Sequence, residues 1–287
     1  MPENFLFYIV FLSQIILISF YYPRQILSRI AYVLRTFPAS KYPKLYPKQV
    51  AFYEIGQSIY RVVNHLILAL GFIVLIAIAS WDSGSSGKVS EAIPVAYFFV
   101  QMIPLFIMEF SGFAYFKLMR KADMRTKRKA DLLPRRLFDF ISPLVFVAAV
   151  IMFLSCIGFF YSLHQFKIDW SNDTFTILLT QLATNLLFAG IIYWNLYGKK
   201  IDPYQDGNDR LKQVEVTIKS LFFMSIASSL FLMIFEAIDE FNLDYFEPAL
   251  MSGYFQFILF IGLGSMLRNQ RIEDMNFDVY KEDAATI

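Results

Sequence analysis

The chain has 287 residues, of which 57% are hydrophobic and only 17% are charged, and its mean hydropathy is +0.48. Soluble domains carry about 25% charged residues, so this composition excludes an ordinary soluble protein and indicates a membrane protein. The formal net charge of +2 does not suggest nucleic-acid binding, and no such partner is predicted. The single cysteine, Cys156, excludes an internal disulfide framework, and with only two histidines no Cys/His metal pattern can be written.

Seven apolar runs are long enough to cross about 30 Å of hydrocarbon as helices. They cover residues 4–22, 62–81, 94–116, 137–163, 175–197, 218–238 and 248–267. A backbone exposed to lipid must satisfy its own hydrogen bonds, and the alternating segments of a barrel are absent. We therefore predict an all-α, polytopic transmembrane helix bundle. Residues 1–267 form its single transmembrane domain, and residues 268–287 form a cytoplasmic tail.

The basic residues give the predicted orientation of the bundle. Segment 117–136 alone holds nine Lys and Arg residues, and 24 of the 26 in the chain fall on the same side of the seven spans. The positive-inside rule places that side in the cytoplasm, with the N-terminus outside and the C-terminus inside. The compact loops and the lack of disulfide-capable cysteines favour a bacterial inner membrane.

Polar residues follow one face of the second span. Glu54, Gln57, Arg61, Asn64 and His65 fall within a helical sector about 100° wide. Polar groups that face lipid are unfavourable, so this stripe should face other helices or water. It indicates either hydrogen bonds between helices or a cavity that opens to the cytoplasm.

The third span carries Gln101 and, near its middle, Glu109. A carboxyl group inside a membrane is a functional-site hypothesis by default. Glu109 would serve in proton coupling or ligand binding, or it is a protonated or paired structural residue.

Three further spans have a polar face, which favours a polar interior. The predicted solute or ion pathway consists of Arg61, Asn64, His65, Gln101, Glu109, Gln181, Asn185 and Gln256. Small hydroxyl side chains at Ser225, Ser228 and Ser229 on the sixth span are more typical of close helix packing.

The basic loops predict contacts with anionic lipid headgroups or with a protein partner. The residues expected to make them are Arg29, Arg35, Lys44, Lys48, Arg125, Lys127 and Arg128. Apolar residues recur at helical spacing between Ile26 and Phe37, so we predict a short amphipathic helix in the headgroup plane there. Residues 268–287 read as a solvated extension.

Two functions are consistent with these patterns. The first is a transporter or channel that moves a small solute or ion through a polar interior, with proton coupling through Glu109. The alternative is a membrane sensor or scaffold that does not transport and binds lipid headgroups or a protein through its basic loops. No convincing catalytic set occurs, so we predict neither an enzyme nor a cofactor. A continuous water path would favour the first function, and a dry interior with a surface groove would favour the second.

Overall fold

The computed structural model describes residues 4–82, 89–123, 135–163 and 173–282, and every regular element within them is helical. The α-helices are α1 (Phe5–Ile16), α2 (Tyr22–Thr36), α3 (Val50–Asp82), α4 (Ala92–Ala122), α5 (Pro143–Leu163), α6 (Asp173–Tyr197), α7 (Gly207–Glu240), α8 (Glu247–Leu259) and α9 (Ser265–Asn269). They form seven membrane-length helical stretches. This confirms the predicted all-α, seven-span bundle and an integral membrane protein.

The first span is longer than its apolar run. A π-helical turn, Leu17–Tyr21, joins α1 to α2, so one helical stretch of 32 residues runs from Phe5 to Thr36. The predicted amphipathic helix is therefore a continuation of the first span and not a separate element. The helix does not break at Pro23 because the π-helical turn before it accommodates the missing N–H.

Two other spans also extend past their apolar runs. Helix α3 begins at Val50, twelve residues before its apolar run, and it includes Glu54 and Gln57 of the polar stripe, as their helical spacing predicted. Helix α7 begins at Gly207, after Asp206 accepts a hydrogen bond of 3.0 Å from the Asn208 N–H as its N-cap. Residues 137–142, predicted as part of the fourth span, instead form a 3₁₀ turn and a bend before Pro143 opens α5.

Helix α1 occupies the centre of one core cluster. Its Phe7, Phe11 and Ile15 are buried with Ile67 of α3, Tyr97 of α4 and Ala249 of α8. The Tyr97 hydroxyl comes so close to α3 that a Cβ at Gly71 would lie 2.2 Å from it. Gly71 therefore permits this approach, and the hydroxyl donates a 2.9 Å hydrogen bond to the Ile67 carbonyl.

A second core cluster lies between the start of α5, α6 and α7. Phe140 and Ile141, just before α5, are buried with Leu196 of α6 and with Val214 and Ile218 of α7.

The described parts of the four predicted cytoplasmic segments contact one another, as Arg29 does with the Gln270 carbonyl and Arg120 with the Lys200 carbonyl, and we call this end of the bundle the basic end. There the chain after α9 packs against the loop after α2, and the Phe37 and Phe277 rings stack with centroids 3.9 Å apart. The Tyr280 hydroxyl donates to the Asp202 carboxylate, and the Asn276 N–H donates to Asp209 at 2.9 Å. Residues 270–282 are thus docked onto the basic end, and the expectation of a solvated extension is wrong for them.

Asp202 should make the stability of the folded protein dependent on pH. Burial raises the pKa of its carboxyl above the ordinary 3.8, although hydrogen bonds from the Tyr280 hydroxyl and the Tyr204 N–H oppose the shift. The folded state therefore holds this proton more tightly than the unfolded chain, and the stability that this contributes below pH 3.8 is lost as pH rises through the folded-state pKa. We expect a lower free energy of unfolding at pH 7 than at pH 4.5, and a smaller difference between these pH values in Asp202→Asn.

Chemical unfolding of the purified protein in one detergent at the two pH values measures this effect. The control is Asp274→Asn, which removes an exposed carboxylate from the docked segment and should leave the pH dependence as it is. An Asp202→Asn variant with the same pH dependence as the wild type would show that another group is responsible.

Candidate functional site

A pocket of about 400 Å³ opens between the first and second spans toward the basic end. It is lined by Ser19, Phe20, Pro23, Arg24, Leu27, Ser28, Ala31, Arg61, Asn64 and His65. We call it the basic pocket. A second cavity, of about 450 Å³, lies among α1, α7 and α8 and has an almost wholly apolar lining that would not orient a polar ligand.

The π-helical turn shapes one wall of the basic pocket. Pro23 has no N–H to donate to the Ser19 carbonyl, and the Tyr22 N–H reaches back to Leu17, five residues earlier. The resulting bulge brings Ser19 and Phe20 into the wall with Pro23 and Arg24. Such bulges often occur at functional sites, and this one is set directly by the sequence.

Three side chains give the basic pocket its chemistry. Arg24 and Arg61 carry permanent positive charges in a fork geometry that suits phosphate and carboxylate. The Nδ1 of His65 lies 2.8 Å from the Arg61 carbonyl oxygen, which only accepts, so Nδ1 carries the proton. Its Nε2 is left for a ligand and donates when the ring is an imidazolium.

No carboxylate balances these cations inside the pocket. None of the lining residues is acidic, and among the described residues neither guanidinium forms an ion pair. The Arg24 guanidinium lies 5.9 Å from the Phe20 ring centroid, which leaves its N–H groups available. The arrangement is suited to an anion with several oxygen acceptors.

The interior wall of the pocket leads into a set of buried polar side chains. Ser19 accepts a 2.8 Å hydrogen bond from Gln101 Nε2 and lies 3.3 Å from the Tyr97 hydroxyl. Gln14 Nε2 in turn donates to Gln101 Oε1 at 3.0 Å, and Ser252 donates to Gln14 Oε1 at 2.6 Å. We call these five residues the interior network. It joins α1, α4 and α8 deep in the apolar bundle.

The remaining predicted interior residues are also hydrogen-bonded to protein. Gln256 Nε2 donates to the Val10 carbonyl at 3.0 Å, and its Oε1 accepts from Ser13. Gln181 Nε2 donates to Ser229 at 2.8 Å. These contacts make the amides part of the packing between helices.

Asn185 Oδ1 accepts from Ser225, so α6 and α7 are joined at a second point. Ser225, Ser228 and Ser229 are all buried in this interface, as predicted for packing residues. The Glu109 side chain is exposed on α4 and forms no hydrogen bond or ion pair with a described residue.

The structure thus brings together only three of the eight predicted pathway residues, Arg61, Asn64 and His65, in the basic pocket. Gln101 reaches the pocket through Ser19, and the other four lie elsewhere. The sequence interpretation missed Arg24 and Ser19 on the opposite wall, and it also missed Gln14, which is fully buried. An amide in the middle of an apolar run is the signal that would have found Gln14.

The predicted lipid or partner contacts fall into three groups. Arg29 donates to the Gln270 carbonyl and so helps to hold the docked tail. Lys44 lies over the Tyr204 ring and Lys48 over the Phe52 ring, while Arg35 is exposed. Arg125, Lys127 and Arg128 lie outside the described residues.

Comparison of this chain with protein-family models, with curated proteins and with solved structures found no match. The proposals below are therefore argued from its residues.

Replacing Gln14 should destabilise the protein. Gln14→Leu leaves buried partners on α4 and α8 unpaired, so we expect the free energy of unfolding to fall by about 1–3 kcal/mol. Thermal unfolding in one detergent measures this effect. The control is Thr180→Val, because Thr180 is exposed and bonds only within its own helix; it should change stability by less than about 0.5 kcal/mol. Equal stability of both variants would contradict a structural role for the network.

Proposed function

We propose that this protein is a membrane sensor or scaffold that does not transport, and that it binds a phosphate-bearing lipid headgroup in the basic pocket. The observation that carries the proposal is the convergence of Arg24, Arg61 and His65 on one pocket without an acidic lining residue. Phosphate oxygens accept hydrogen bonds from guanidinium and imidazolium groups and balance their charge.

A lipid fits this site better than a free anion. The basic pocket lies along two membrane-spanning helices, near the end of the apolar run of the first span. Phe20, Leu27 and Ala31 give it an apolar side along which the first part of an acyl chain can lie. We place the basic end in the cytoplasm of a bacterial inner membrane, where anionic lipid headgroups meet it at this depth.

Transport is the weaker of the two predicted functions. A solute that crosses the bundle needs polar groups free to replace its water. Gln101, Gln181 and Gln256 instead bond to neighbouring helices at 2.8–3.0 Å. These bonds favour a dry, packed interior, and the proposal includes neither a conduction path nor a catalytic reaction.

The proposal is tested by lipid retention. The full chain is placed in nanodiscs of phosphatidylcholine containing a small fraction of phosphatidic acid or phosphatidylglycerol, and bound anionic lipid is counted by native mass spectrometry. Arg24→Gln with Arg61→Gln should weaken retention at least about tenfold, since each charge-assisted contact contributes about 1.5–3 kcal/mol.

The matched control is Arg35→Gln with Arg271→Gln, which removes the same charge from exposed positions at the basic end. It should change retention less than about twofold, because exposed charges are screened. Equal loss in both double variants would mean that general surface charge holds the lipid. No retention by the wild type would reject the proposal.

A further inference from the structure

Glu109 is a predicted pathway residue that belongs neither to the basic pocket nor to the hydrogen bonds between the described helices. It is the eighteenth of the 31 residues of α4, so it lies near the middle of a membrane-length helix. Its side chain is exposed, and within the described residues no group donates a hydrogen bond to it. A charge in this position facing acyl chains is strongly unfavourable.

The residues around Glu109 form an exposed aromatic surface. Phe106, Phe110 and Phe113 share a helical sector about 100° wide with Glu109 and are 55%, 71% and 51% exposed. We call these four residues the Glu109 face. The phenylalanine side chains can face lipid without a protein partner. The carboxyl group, in contrast, requires a hydrogen-bonding partner within the membrane.

We propose that the Glu109 face is a dimer interface and that its partner is the same face of a second copy of this chain. A twofold axis through the face places each Glu109 opposite its counterpart. In their neutral form two carboxyl groups each donate one hydrogen bond to the other and accept one in return, so the pair carries no charge and needs no other residue. The flanking phenylalanines meet across the same axis and exclude lipid from the pair.

Self-pairing has a further physical basis. A twofold interface is closed and self-complementary, and it is the commonest form of association between identical chains. Hydrogen-bonding side chains on membrane helices are an established source of helix association in lipid. The face is separate from the basic pocket, whose lining includes no residue of α4.

The experiment counts copies per particle. The full chain with a C-terminal fluorophore is reconstituted into phosphatidylcholine vesicles at high dilution, and photobleaching steps are counted. Wild type should bleach mainly in two steps. Glu109→Gln keeps a donor and an acceptor and should do the same, whereas Glu109→Leu should associate about tenfold more weakly.

Cysteine variants test the face independently of Glu109. Phe106→Cys should form a disulfide between copies under mild oxidation, and Leu186→Cys, equally apolar and 64% exposed on α6, should not. The native Cys156 is buried and serves as the background. A monomeric wild type would overturn the proposal. The partner of the Glu109 face would then be a different protein with a basic residue in its membrane span. Dimers of Glu109→Leu as strong as wild type, or cross-linking through Leu186→Cys instead, would also overturn it.

Discussion

A buried amide in an apolar helix constrains the whole bundle. Gln14 is fully buried among hydrophobic residues, so its amide N–H groups and oxygen cannot hydrogen-bond to bulk water. It must therefore bond to Gln101 on α4 and Ser252 on α8, which fixes the rotation of three helices about their axes. The same constraint operates between α6 and α7 through Gln181 and the serines. Since van der Waals packing alone distinguishes poorly between helix and lipid, these few hydrogen bonds supply much of the specificity of the fold.

The buried polar groups bond to each other between helices, whereas the charged side chains that can bind an anion lie at the basic end. There the π-helical turn before Pro23 brings Arg24 to the same pocket as Arg61 and His65, while Ser19 links that pocket to the interior network. A ligand bound in the pocket would thus contact a residue that also holds α4 in place. This connection gives a headgroup-binding module a physical means of affecting the arrangement of its helices, which a sensor requires.

The sequence predicted the spans well, because length and hydropathy determine which segments can cross a membrane. It predicted their ends less well, since the fourth apolar run begins at Leu137 but Pro143 opens α5 after a 3₁₀ turn and a bend. Helical periodicity correctly placed Arg61, Asn64 and His65 on one face, but it carries no information about which helix lies opposite. Arg24 and Ser19 could not be paired with them for that reason. For the same reason, the sequence could not distinguish Glu109, whose carboxyl group faces outward, from Gln101, whose amide faces inward.

The central claim is that the polar groups inside the bundle bind each other and do not line a path. Flux through the purified protein in liposomes, under proton, sodium and potassium gradients with an indicator dye inside, tests it most directly. The account predicts a leak equal to that of empty liposomes. Dissipation of any of these gradients by the wild type, abolished by Gln101→Leu or Glu109→Gln, would contradict it and place that residue on a conduction path.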